Sequence, residues 1–475
     1  MMNFLDEKIW TVVMAGGSGS RLWPISRATM PKQFCSIDGE ENLFYKTINR
    51  ASKLGTDNPL LVIINEEYKF LAIKELDKLG IKYHLILEPE KKNTAPAIAI
   101  ACRYALNFDD DPRLLVLSSD HYISSEEDFL LTITNTISET SAKSIVTFGA
   151  EATSPETGYG YIHYEKSSEF ICNIKNFVEK PSKDKAIEYI NEGSYLWNTG
   201  IFLFSANTML EELKVNANQI FNISNSISLQ LNLNSNIHEL DESTFASFPN
   251  ISIDYAVLEK TNIAKVAVIS FEWSDLGTWP AIWKNNKEKD KDNNVSLGDT
   301  QLIDTKNSLL ISKDKHISAI GIEDMIVVNT ADAILISSMN SVNKLKDCVE
   351  LLEKENPLIV SENRKVFRPW GWYDSLEKDL THQVKRIHVY PSQKLSVQRH
   401  QHRAERWIII KGTATVTLDD NDYEFNVGEV VQINIMQIHS LANNTKDDLE
   451  IIEVQLGDYL GEDDIERFED IYGRA

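Results

Sequence analysis

Two stretches of this 475-residue sequence combine residue types that could do chemistry. In the first, the apolar run TVVMA runs directly into Gly16-Gly17-Ser18-Gly19-Ser20-Arg21. Glycines there let main-chain amides approach phosphate oxygens, and a helix start behind them adds partial positive charge. Alone, they also fit a plain tight strand-to-helix turn. The loop has neither the Lys-Ser/Thr of a Walker A motif nor the third glycine of a dinucleotide fingerprint, so both familiar readings fail. Arg21 and the Lys32 of MPKQF place two cations near one strand end. Such a pair suits a triphosphate whose departing pyrophosphate gains charge. Transfer of this kind needs a divalent cation on carboxylate oxygens. Asp120 closes the run LLVLSSD and Asp275 follows Glu272-Trp273, although either aspartate alone could be a cap or turn residue.

The second stretch is Gln398-Arg399-His400-Gln401-His402-Arg403-Ala404-Glu405, with His439 further on. On a β-strand His400 and His402 project to one face. Glu405 just beyond them and a histidine from a later strand complete a metal site inside a barrel. Each histidine taken singly is more often structural.

The elements that must position these residues follow from the pattern. Apolar runs at 9–15, 60–65, 83–87, 114–120 and 144–149 alternate with helix-length amphipathic segments, which predicts an α/β unit with a largely parallel, doubly wound sheet. Its ligand chemistry belongs at the carboxyl ends of the strands. The charged run 284–294 marks a boundary, after which short β-rich pieces recur to about residue 338, as in a small β coil or roll. A helical pattern over 341–355 leads to Asn356-Pro357, and the last ~110 residues alternate like an antiparallel barrel or jelly roll. The expected divisions are 1–285, 286–355 and 356–475.

Composition narrows the classes of partner. The formal net charge is −23, with 42% hydrophobic and 25% charged residues. That is globular composition whose acidic surface disfavours nucleic acid and anionic membrane. Four scattered cysteines, Cys35, Cys102, Cys172 and Cys348, indicate neither a disulfide framework nor a cysteine zinc site. With no leader-like or membrane-spanning segment in the sequence, the expected setting is the cytoplasm.

The runs GGSGSRLWP with PKQF, EPEKKNTAPAIA, SSDH, TGYGYI, FVEKP, WNTGIFLF, SIDYAVLEK and WSDLGTW occur in this order across residues 15–279. Together they resemble the sugar-phosphate nucleotidyltransferases, and most closely the mannose-1-phosphate guanylyltransferases. The resemblance implies a Rossmann-like, GT-A-like nucleotidyltransferase domain joining GTP to mannose 1-phosphate. By it, Gly16, Gly17, Gly19, Arg21 and Lys32 hold the triphosphate and Asp120 and Asp275 hold Mg2+. Glu88, Asn93 and Thr94 face the base, Glu179 and Asn198 bind sugar hydroxyls, Lys180 binds the sugar phosphate, and Gly160 lets the chain pass close to the sugar.

From Arg368-Pro369-Trp370-Gly371 through QVKRI, HRAERW and GEDDIERFEDIYGR the sequence resembles the cupin of the type II phosphomannose isomerases. The resemblance implies interconversion of fructose 6-phosphate and mannose 6-phosphate with Zn2+, Mn2+ or Co2+ on His400, His402, Glu405 and His439. Gln398 is then an accessory ligand and Arg403 a substrate or catalytic residue. The sequence departs from that family at Gln401 and Arg406, where histidines are usual. It departs again at Ile435-Met436-Gln437-Ile438, where a turn with Pro and Gly is usual. The alternative is a transferase whose cupin serves as a sugar-sensing or oligomerisation module; a homo-oligomer is compatible with either reading.

Overall fold

The strand β1, Ile9–Ala15, is buried at all seven positions, as an apolar run flanked by helices on both faces should be. The structure, a computed structural model, describes residues 9–469 except 18, 19, 38, 40, 57, 168 and 229–234. Gly19 and the end of the GEDDIERFEDIYGR run lie outside those residues. Contacts divide the chain into two compact units that meet at Val360/Ser361.

The first unit is built on a ten-stranded sheet. After β1 its strands are β2 (Leu60–Asn65), β3 (Tyr83–Glu88), β4 (Arg113–Ser118), β5 (Ile145–Glu151), β6 (Gly160–Tyr164), β7 (Ile171–Glu179), β8 (Tyr195–Ser205), β9 (Ile237–Glu239) and β10 (Ala264–Val268). Their order is β9-β3-β2-β1-β4-β8-β5-β10-β7-β6. From β9 to β4 neighbours run parallel, so Gly16, Glu88 and Asp120 follow the carboxyl ends of strands along one edge. Beyond β4 the sheet departs from the expected parallel winding. β8 is antiparallel to both β4 and β5, and β7 to both β6 and β10, with only β10 beside β5 parallel. One of these reversals, β6 beside β7, follows from connection length. Helices such as Thr94–Ala105 carry the crossovers between early strands, whereas β6 and β7 are joined by a short turn that permits only a hairpin. Helix Thr94–Ala105 starts at Asn93, whose side chain accepts from the Thr94 amide at 3.0 Å, and it is buried along nearly its whole length against one face of the sheet.

The segment after the charged run is a parallel β coil. Val295–Leu297 pairs with Leu309–Ser312, which pairs with Met325–Asn329, while Thr300–Ile303 pairs with Ile317–Ile320 in a second sheet. Its interior residues Leu309, Ile311, Ile326 and Val328 share one apolar cluster with Trp23, Ile25 and Ile37 of the loops after β1. Arg27, fully buried, forms a two-pronged ion pair with Asp332 at 2.8 and 2.9 Å, and Lys313 donates to the Ile37 carbonyl at 3.2 Å.

The second unit is a two-sheet antiparallel roll. Six strands, Lys365–Arg368, Gly371–Lys378, His382–Val389, Leu449–Gly457, Arg403–Lys411 and Val430–Ile433, face five others, which include Val397–His400 and His439–Ala442. Trp370, Ile387, Trp407, Ile409, Val431 and Leu441 belong to its core. Among the described residues no helix is long and apolar enough to cross a membrane.

Candidate active sites

At the carboxyl edge of the large sheet, Gly17 takes φ +104°, a backbone setting that favours glycine, as β1 turns out of the sheet. Arg21 stands exposed in the 3-10 turn Ser20–Leu22 that follows. Lys32 behaves differently. It starts the 3-10 turn Lys32–Phe34, which Gln33 ties to the end of β1 through the Ala15 carbonyl at 3.1 Å. Only 5% exposed, Lys32 places Nζ 2.7 Å from Asp120 Oδ2 and donates to the Asp275 main-chain oxygen. Two carboxylate-bearing loops therefore meet at one ammonium.

A two-residue ladder, Trp273–Ser274 against Tyr122–Ile123, brings Asp275 beside the loop that carries Asp120. Asp120 Oδ1 accepts from Ser118 Oγ at 2.8 Å. Burial alone would raise its pKa, but Lys32 and then His121 outweigh that and hold it well below the usual carboxylate range. Asp275 Oδ1 accepts from the Tyr159 hydroxyl at 2.7 Å and from the Gly277 amide at 2.9 Å. The Tyr159 ring lies edge-on to both Trp197 and Trp273, at 5.2 and 5.3 Å between centroids. His121 packs edge-on against Trp273, and its pKa is lowered, chiefly by burial.

Two further groups flank this centre. Glu88, at the end of β3, is buried, its Oε1 meets no hydrogen-bond partner among the described residues, and burial pushes its pKa up to about 8. Thr94 uses Oγ1 to accept from the Ile253 amide at 2.9 Å. On the other side Gly160 pairs in register with Glu179; a Cβ at 160 would lie 2.6 Å from Glu179 Oε2 and 3.3 Å from Asn198 Cβ. Lys180 Nζ meets Glu179 Oε1 at 2.7 Å, and Asn198 Nδ2 donates to Asp254 Oδ1 at 3.0 Å.

The roll holds a separate cluster. Ligand-type atoms of His400, Glu405 and His439 lie within 4.8 Å of one another, all three residues buried. Nδ1 of His439 faces the Gln437 carbonyl at 2.9 Å and must donate, which leaves Nε2 as a lone pair 3.7 Å from Glu405 Oε2. Nε2 of His400 lies 3.0 Å from Glu405 Oε1, yet neither this atom nor His439 Nε2 finds a hydrogen bond among the described residues. Buried lone pairs turned toward a carboxylate with nothing between them are what a divalent cation relieves, so this nitrogen and oxygen set fits one. Glu405 also lines an open pocket shared with Gln398, Lys385, Arg403 and Glu453.

The chain matches the nucleotidyl transferase family model over residues 10–292, a MannoseP isomerase/GMP-like beta-helix model over 298–352, and the mannose-6-phosphate isomerase C-terminal model over 355–470. It is 42% identical to the mannose-1-phosphate guanylyltransferase of Salmonella montevideo, covering 98% of this chain and 100% of that one. The chain belongs to the mannose-1-phosphate guanylyltransferase family. It is also 41% identical to the alginate biosynthesis protein AlgA of Pseudomonas putida, over 98% of this chain and 96% of its relative. A solved structure from Thermus thermophilus, described as a mannose-1-phosphate geranyltransferase, superposes with a TM-score of 0.66 at 31% identity, covering 73% of this chain and 99% of that one.

Within this guanylyltransferase fold, the structure brings Lys32, Asp120 and Asp275 together, and groups Gly160, Glu179, Lys180 and Asn198. One expected member of the metal cluster is displaced. His402 is about half exposed, with Nδ1 3.7 Å from Asp458 Oδ1. The strand ends at His400 and the next begins at Arg403, so the two-residue alternation never reaches His402. Gln401 and His402 instead form a bend whose amides donate to Asp464 at 3.0 and 3.3 Å. The turn before His439 closes without Pro or Gly. Met436 adopts φ +66° and donates its amide to the His400 carbonyl at 2.8 Å, which keeps His439 in the cluster. Tyr159 and His121 were missed individually, although both stand in motifs already singled out, TGYGYI and SSDH.

Proposed function

We propose that the chain transfers GMP from GTP to mannose 1-phosphate, giving GDP-mannose and pyrophosphate, and that its cupin interconverts fructose 6-phosphate and mannose 6-phosphate. The observation that carries the first activity is the Lys32 ammonium seated between the Asp120 carboxylate and the Asp275 carbonyl. A sugar-phosphate oxygen attacks the α phosphorus as the bond to the β-phosphate oxygen breaks, and the electron pair leaves with pyrophosphate. No covalent nucleophile is needed, so the protein supplies position and charge compensation. Lys32 and Arg21 balance charge on the departing oxygens, with the glycine loop's amides beside them. Lys180 receives the sugar phosphate, and Glu179 and Asn198 receive hydroxyls. Asp120 and Asp275 would hold Mg2+, which neutralises phosphate charge when bound; a pair of hard oxygen donors suits it.

Glu88 supports guanine as the base. A buried carboxyl with an unsatisfied oxygen needs a polar partner, and the adjacent N1–H and exocyclic amine of guanine together favour its ionised form, which the single amine of adenine does less well. In the cupin, His400, Glu405 and His439 would hold Zn2+, Mn2+ or Co2+, which polarises sugar oxygens when bound. Arg403, buried and 3.5 Å from Glu405, would face the substrate from the same pocket. The proposed working parts are residues 1–285, 286–355 and 356–475, acting in the cytoplasm. The deciding experiment incubates the full chain with mannose 1-phosphate, Mg2+ and each nucleoside triphosphate, following GDP-mannose and pyrophosphate. Turnover with GTP well above ATP is expected, and comparable rates with ATP would remove the guanylyl assignment.

A further inference from the structure

Two acids with no role assigned above stand at the Glu179–Asn198 corner, Glu259, which accepts from the Glu179 amide at 3.0 Å, and Asp254. Asp254 opens the single π-helical turn Asp254–Leu258, a kind of irregularity that often re-aims a side chain at a functional site. Its carboxyl group does not cap that turn. The preceding residue in the cap position is Ile253, and the closing bond runs from the Glu259 amide to the Asp254 main-chain oxygen. The side chain faces Asn198 and the Glu179–Lys180 corner instead.

We propose that Asp254 is a sugar-specificity residue of the transferase, its carboxyl group gripping a hexose hydroxyl jointly with Glu179 and Asn198. The inference rests on the transferase reading above and deepens it.

Orientation is the first support. The Asn198 amide cannot flip, because its Oδ1 accepts from the Thr147 hydroxyl at 2.6 Å and from the Gly200 amide at 3.3 Å. Its Nδ2 therefore donates, and Asp254 Oδ1 receives it at 3.0 Å. One carboxyl oxygen is thereby fixed while the residue stays partly exposed.

Charge is the second support. Asp254 and Glu179 stand together with one ammonium, Lys180, which is already 2.7 Å from Glu179 and is more than half exposed. Ser252 and the Asn198 amide already bond to Asp254, so what stays uncompensated is the charge of two acids facing one half-solvated cation. Burial, then Glu179, pushes the Asp254 pKa up to about 7, so this carboxyl can donate or accept to a hydroxyl that does both.

Space is the third support. Gly160 is the one residue type that fits beside this corner, since any Cβ would press on Glu179, Phe177 and Asn198.

The test compares wild type, Asp254→Ala and Asp254→Asn, using GTP with mannose 1-phosphate and with its 2-, 3-, 4- and 6-deoxy analogues. Loss of a hydrogen bond to a charged group should raise KM for mannose 1-phosphate by about 10- to 100-fold in Asp254→Ala, leaving KM for GTP within about twofold. One deoxy analogue that is handicapped with wild type should lose that handicap in the variant, an effect a merely structural residue would not produce. Equal rises in both KM values, or deoxy penalties unchanged in the variant, would overturn the proposal. If Asp254→Ala does not fold by circular dichroism, Asp254→Asn is read by the same analogue pattern. A wild-type chain that fails to use mannose 1-phosphate with GTP overturns the transferase reading and this inference with it. A wild type that turns over while the variants keep its analogue pattern overturns this inference alone.

Discussion

Tyr159 donates its hydroxyl to Oδ1 of Asp275 at 2.7 Å, the same oxygen that receives the Gly277 amide. Two donors on one oxygen fix the carboxylate's rotation while its other oxygen takes neither. Tyr159→Phe keeps the ring between Trp197 and Trp273 and removes only this orienting bond. The Mg2+ concentration giving half-maximal GDP-mannose formation should rise by roughly tenfold, as expected for a hydrogen bond to a charged group. A magnesium titration identical to wild type would show that Asp275 needs no such support.

The ion pair of Lys32 with Asp120 makes a divided prediction. Asp120→Asn should lower GDP-mannose formation by on the order of a thousandfold, since it removes charge at nearly constant volume. It should also cost some thermal stability, because the mostly buried Lys32 loses its charged partner. Lys32→Ala should raise KM for GTP and Lys180→Ala KM for mannose 1-phosphate. Steady-state kinetics in which each variant affected both substrates equally would contradict that assignment.

For the cupin, the geometry separates two histidines that look alike in sequence. His400→Ala or His439→Ala in the full chain should remove the tightly held metal, read by elemental analysis after dialysis. His402→Ala should retain it, since the ring is half exposed and faces Asp458. Retention of metal by the first two variants and its loss from the third would place the site elsewhere.

A buried histidine in the first unit gives a pH prediction. His238 is 2% exposed, with Nε2 3.1 Å from the Tyr104 hydroxyl and 3.4 Å from His84 Nδ1. Burial, then His84, lowers its pKa to about 4, and burial lowers that of His84. The unfolded chain, with an ordinary value near 6.5, therefore takes up the proton first as pH falls. Stability from this group is complete above about pH 6.5 and is lost progressively between 6.5 and 4, on the order of 2 kcal/mol. Calorimetric scans across that window should show a falling melting temperature, and His238→Gln should flatten the trend.

Much of this site could be read from particular residues. A strand end supplied Asp120, which Lys32 meets, and Gly160 of TGYGYI stands beside Glu179 and Asn198. The exceptions share a cause. Period-two reasoning on His400 and His402 presumed an unbroken strand, yet the bend at residues 401 and 402 is set by Asp464, some sixty residues away in sequence. The largely parallel winding expected of the sheet gives way to antiparallel pairs beyond β4, and a run such as FICNIKNFVEK does not say which way its neighbour points. Tyr159 and Asp254 bond to partners more than fifty residues distant, which no local pattern displays.

The β coil has a bearing on how this chain can be cut. Its interior is continuous with Trp23, Ile25 and Ile37, and Arg27 is pinned from the coil by Asp332. These residues flank the turn that presents Lys32. A gene truncated after the charged run near residue 290 would expose that shared apolar surface and strand the Arg27 guanidinium in a half-built interior. A recombinant catalytic fragment, or a graft of this transferase onto another cupin, therefore needs its junction near residue 360.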